Sequence, residues 1–131
     1  MPVKKAEKKP KDFQAVYDEL KKLMAPYAKG TLKANETAID FQLIGPPVPR
    51  SRGKAVWFGA VRIGKAYVSY HLMPVYAFPD LLDGISPELK KRMQGKSCFN
   101  FTAIDRLLFK ELKRLTKAGY DRFKQSELVQ Q

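Results

Sequence analysis

The chain has 131 residues, 44% of them apolar, and a formal charge of +12 from 25 Lys and Arg against 13 Asp and Glu. This is the length of one domain, able to bury roughly two-thirds of its unfolded surface, and its apolar content argues against a disordered chain. Charges and prolines interrupt every apolar run before membrane-spanning length, the start MPVKKAEKKPKDF lacks the apolar stretch of a secretory signal, and the single Cys98 permits no internal disulfide, so a cytoplasmic protein without a membrane is expected.

Residues 1–11 hold five lysines and one glutamate and show no apolar periodicity, which reads as a disordered basic arm. The remainder still carries +8. A single domain is expected over 12–125, with a frayed tail at 126–131. Asp12 is placed as the N-cap of a helix whose apolar face is Phe13, Val16, Tyr17, Leu20, Leu23 and Met24, with Pro26 ending it. After a polar turn from Gly30, Ile39, Phe41 and Leu43 alternate with Asp40 and Gln42 as in a half-buried strand. Gly45, Pro46, Pro47 and Pro49 stop it, and the PRSRGK segment reads as a basic loop carrying Arg50, Arg52 and Lys54.

Two β-rich runs, KAVWFGAVRI and AYVSYHLM, flank Gly64-Lys65, which suits a two-residue type II′ hairpin. Pairing Ile63 with Ala66 places Trp57, Gly59, Val61, Val68, Tyr70 and Leu72 on one face, the expected core face. Phe58, Ala60, Arg62, Tyr67, Ser69 and His71 fall on the other, which is aromatic and polar. Further on, Phe78 to Leu82 predicts one helical turn. Ser86-Pro87-Glu88 opens a short helix, read as Leu89 to Met93, that Gly95 closes. Lys96 to Phe101 reads as a strand with Cys98 and Asn100 on one side and Phe99 and Phe101 on the other. A long final helix begins near Asp105, with Ile104, Leu108, Leu112 and Leu115 as its apolar stripe and Arg106, Lys110, Lys113 and Lys117 opposite. Gly119 is a point of interruption.

Several chemistries are excluded. One His and one Cys do not make a closed zinc site. A nucleophilic Cys98–His71 pair requires both side chains on one face of adjacent strands, and a lone thiol is more commonly a buried small hydrophobe, so no catalytic residue is assigned. Gly95-Lys96-Ser97 ends like a phosphate-binding loop, but the required earlier glycine is Lys90 and the strand–loop–helix order is reversed. Lys96 with nearby backbone amides is kept as an anion contact. Asp80 and Asp83 sit beside turn signals and read as caps rather than as an acid–base pair.

The segments YVSYHLMPVY (67–76) and ISPELKKRMQGKSCFNF (85–101), with the leucine-rich helix after Asp105, resemble the YdhG-like family, a widespread bacterial group of domains without an established activity. The resemblance spans roughly Asp12 to Phe123 and implies an α+β fold, an antiparallel sheet of about four or five strands with the N- and C-terminal helices on one face. Some members are described as frataxin-like intracellular iron chaperones. Such iron binding uses a band of exposed carboxylates, whereas the first helix here offers Asp12, Asp18 and Glu19 mixed with Lys11, Lys21 and Lys22. A domain at +8 repels cations.

The expected function is therefore a non-enzymatic module that binds a small molecule or protein, as monomer or homodimer, without a cofactor. Its expected site is Phe58, Arg62, Tyr67, Ser69, His71, Lys96 and Asn100. The alternatives are nonspecific nucleic-acid binding through the basic final helix and arm, and iron handling.

Overall fold

A computed structural model describes residues 12–47 and 52–126. The expected basic arm, Arg50 of the loop and the tail beyond Ser126 lie outside the described residues. The first helix, α1 (Phe13–Met24), starts where Asp12 accepts a hydrogen bond from the Ala15 amide and runs into a 3-10 turn, Ala25–Tyr27, at Pro26. The strands are β1 (Lys33–Glu36), β2 (Asp40–Gly45), β3 (Val56–Ile63) and β4 (Val68–Leu72). Two short helices, α2 (Met73–Ala77) and α3 (Pro87–Lys90), flank a 3-10 turn at Pro79–Leu82. Then come β5 (Met93–Gln94), β6 (Cys98–Phe101) and the long α4 (Arg106–Gln125), capped by Asp105.

The fold is α+β. Among the described residues, six antiparallel strands form one sheet in the order β1-β2-β3-β4-β6-β5. Six is slightly more than the four or five expected, and the two strands not read from the sequence are the edges of the sheet. β1 has the sequence KANE, is exposed at all four positions and so carries no apolar alternation to find. Its polar side chains suit an edge that must not recruit another chain. β5 is only two residues long and uses Met93, which the sequence reading placed in the short helix. That helix ends at Lys90, and Gly95, at φ +80°, turns the β5–β6 hairpin instead of closing it.

One face of the sheet is packed under α1, α4 and the shorter helices. α1 buries Val16, Tyr17, Leu20 and Met24. α4 buries Leu108, Phe109, Leu112, Leu115, Tyr120 and Phe123, and runs unbroken through Gly119. A Cβ on Gly119 would lie 2.8 Å from the Pro74 Cβ, so this glycine marks where α4 crosses α2, not an interruption. Within the core, Thr116 donates its single hydroxyl proton to the Leu112 carbonyl, 2.7 Å away. The fully buried Tyr70 hydroxyl must then be the donor in its 2.6 Å contact with Thr116 Oγ1.

The hairpin register differs from the two-residue turn. Ile63 pairs with Val68, and the Gly64 amide donates to the Tyr67 carbonyl, so Gly64 to Tyr67 form the loop. The shift is an even number of positions, so the face assignment of β4 survives it. A second departure does not preserve faces. Leu43 pairs with Gly59 but Ile44 pairs with Trp57, leaving Phe58 as the extra residue of a β-bulge. Below the bulge the alternation of β3 inverts. Phe58 turns into the core, where it is fully buried against Tyr120 and Phe123. Trp57 takes the opposite face. The expected roles of these two aromatics are exchanged.

Candidate functional site

The sheet face away from the helices is built from cross-strand rows whose members share a side of the pleat. Asp40, Arg62, Ser69 and Asn100 form one row, from β2 to β6. Gln42, Ala60, His71, Cys98 and Gln94 form the next. Ile44 and Trp57 make a third, beyond the bulge. Apart from Ala60, these side chains are half-buried or exposed, in contrast to the buried residues alternating with them.

Polar contacts tie the β4–β6–β5 half together. The Asn100 amide donates to Gln94 Oε1 at 2.7 Å, and the Tyr67 hydroxyl donates to the same oxygen at 3.4 Å. Cys98 Sγ lies 3.3 Å from Asn100 Oδ1 and 3.6 Å from His71 Nε2. The Trp57 ring lies against the imidazole with centroids 5.6 Å apart and a 44° tilt. A thiol carries one proton, so Cys98 donates to Asn100 or to His71, not to both.

Cys98 and His71 thus meet the geometric requirement of a nucleophilic pair, but their environment opposes its ionised form. Burial pushes the Cys98 thiol up, against a smaller lowering by the Ser69 hydroxyl. Burial also pulls His71 down; the nearby Asp40 carboxylate acts in the opposite direction and Arg62 in the same one. A thiol raised and an imidazole lowered remain neutral together, the reverse of an activated thiolate–imidazolium pair. What the arrangement can do is bind: it offers an aromatic plane, an arginine, and amide and hydroxyl groups of both hydrogen-bonding senses. Among the described residues, no three His, Cys, Asp or Glu side chains come together as a group able to hold a metal ion.

The depressed His71 carries a pH prediction. The unfolded imidazole titrates near 6.5, the folded one lower, so between the two the unfolded chain binds more protons. The His71 contribution is fully present above pH 6.5 and falls away as pH drops through the folded value. Urea denaturation curves of the wild type and His71→Gln at several pH values should diverge below pH 6.5, the wild type losing more. Parallel curves down to pH 5 would contradict the burial of this imidazole.

Of the seven residues expected at the site, Arg62, Ser69, His71 and Asn100 lie on this face, and Tyr67 borders it through Gln94. Phe58 does not, because the bulge buries it under α4. Lys96 does not either: it sits over Tyr76, with Nζ 6.0 Å from the ring centroid, in a cleft with Val75 and Met93. Trp57, Gln94 and Cys98 join them there, beside Asp40, Gln42, Ile44 and Ala60. The available signal for Trp57 was Gly59 inside a strand beside two large aromatics, a pattern that marks bulges.

Fold and face together define an α+β domain with helices on one side of an antiparallel sheet and a polar, aromatic surface on the other. Comparison with family models, curated proteins and solved structures returns no match. Among the described residues no helix is long and apolar enough to cross a membrane.

Proposed function

We propose that the uncovered sheet face is a non-enzymatic binding surface for a ligand or protein partner presenting an aromatic or apolar group beside a hydrogen-bond acceptor. The observation that carries this reading is the chain's one tryptophan, left half-exposed against His71 on a sheet face that no helix covers among the described residues. An aromatic pair in that position gives apolar contact, while Arg62, Asn100 and Gln94 fix the orientation of a polar group. A sheet with helices on one side is also what the resemblance to YdhG-like domains implies, and a cytoplasmic, frataxin-like domain is part of this proposal. The neutral Cys98–His71 pair favours binding over chemistry.

Native mass spectrometry of freshly purified full-length protein tests the reading. The expected spectrum shows a bound species or a homodimer, and Trp57→Ala/Arg62→Ala removes it while leaving the fold intact by circular dichroism. A bare monomer in the wild type, or a complex that survives in the double variant, sinks the proposal.

A second reading rests on α4, which turns Arg106, Lys110, Lys113 and Arg114 to solvent. Arg106 has an acidic neighbour, with Glu19 3.8 Å away; the others form a cationic strip suited to phosphates. Nonspecific nucleic-acid binding here would weaken steeply with salt. A gel-shift experiment with single- and double-stranded DNA should show retardation at low salt that disappears near physiological salt. No retardation at low salt ends this reading.

A further inference from the structure

On the helix side of the sheet, a cleft of about 410 Å³ opens between the short helices and the β5–β6 turn. Its apolar walls are Val75 of α2, Pro79 and Leu82 of the 3-10 turn, and Met93 of β5. Met93 pairs with Phe99 and so belongs to the core side, whereas its neighbour Gln94 pairs with Cys98 on the opposite face. The cleft is therefore separate from the candidate surface described above. It falls within the size range of small-molecule sites, about 300–1,000 Å³.

We propose that this cleft binds an amphipathic monoanion: an apolar chain or ring that ends in one carboxylate. Two features select that chemistry. The first is charge. Lys90 and Lys96 stand at the rim; among the described residues neither makes an ion pair and no carboxylate lines the cleft. The second is the apolar surface left uncovered below them. Val75 is 1% exposed and forms the floor, while Tyr76 at the edge is 56% exposed, with the Lys96 ammonium 6.0 Å over its ring.

An uncharged apolar ligand would leave both ammonium groups without an anionic partner. A phosphate-rich ligand would gain nothing from Leu82, Pro79 and Met93, and the cleft offers no arginine fork to grip it. A carboxylate with an apolar tail uses both parts. The tail displaces water from Val75, Leu82 and Met93, and the head meets Lys90 and Lys96 in charge-assisted hydrogen bonds.

Octanoate is a suitable probe. It would be titrated into the full-length protein while the Met93 methyl resonance, assigned with Met93→Leu, is followed by NMR. The expected result is a saturable shift of Met93. Octanol, with the same tail and no charge, should bind about tenfold more weakly or worse, the factor associated with losing one charged hydrogen bond. Inorganic phosphate should leave Met93 unmoved. Lys90→Gln/Lys96→Gln should weaken octanoate by a similar factor, and Lys90→Arg/Lys96→Arg should restore it. Both lysines are exposed, so the variants keep the fold. Absence of a saturable Met93 shift overturns the proposal. So does octanol binding as tightly as octanoate, or a glutamine double variant that binds like the wild type. Trp57 emission is unaffected in the expected case, which keeps this outcome independent of the sheet-face reading.

Discussion

Phe58→Ala should cost about 3–5 kcal/mol in urea denaturation, the range for truncating a buried aromatic, while Trp57→Ala should cost about 1–2 kcal/mol. The two residues are neighbours in β3, and strict strand alternation would give the larger penalty to Trp57. The bulge reverses it. Phe58 is 0% exposed and its ring meets Phe123 at 5.6 Å and Tyr120 at 5.8 Å, both edge-on, and Tyr27 at 6.0 Å. Its removal opens a cavity between the sheet, α4 and the 3-10 turn after α1. Trp57 lies on the far side, where His71 is its one ring partner among the described residues. The test is the order of the two penalties. A larger loss for Trp57→Ala would mean that β3 has no bulge at Phe58, and the candidate face would lose its tryptophan.

Gly59→Ala should destabilise by about 1–3 kcal/mol, although alanine is the mildest change a glycine can undergo. A Cβ at this position would lie 2.5 Å from Met24 Cε and 2.7 Å from the His71 carbonyl oxygen. The thioether can swing aside, because methionine has three rotatable bonds. The carbonyl cannot, because it belongs to the β4 backbone, held between β3 and β6. Gly59 therefore sets how closely α1 and the β3–β4 ladder approach. The same clash would push the backbone at His71, so the variant should also move the His71 imidazole resonances in an NMR spectrum. A stability change below about 0.5 kcal/mol, with those resonances unmoved, would show that the ladder has room for a methyl group.

These two positions show where reading the sequence stops. From Gly59 onward in β3, and along β4, the face assignments hold: Val61, Val68, Tyr70 and Leu72 are buried, while Arg62, Ser69 and His71 are turned outward. They hold even though the hairpin loop is longer than expected, because an even shift in register does not exchange faces. The bulge is one extra residue, an odd change. It exchanges Trp57 and Phe58, and no local propensity distinguishes them, since both aromatics favour strands. β1 escaped for a different reason: a fully exposed edge strand has no apolar period, and KANE is joined to β2 by its antiparallel ladder.

What the sequence determined by itself was whatever depends on near neighbours in the chain. The caps at Asp12 and Ser86, the apolar stripe of α1 and that of α4 from Leu108 onward, and the alternation of β2, β4 and β6 are all local patterns. Only the tertiary structure decided which strands lie side by side. It brought His71 to within 3.6 Å of Cys98, 27 positions away, put Trp57 over the imidazole, and moved Lys96 to a different side of the sheet. The physical reason is that registers and bulges follow from packing the whole helix layer onto the sheet. No stretch of this chain carries that constraint alone.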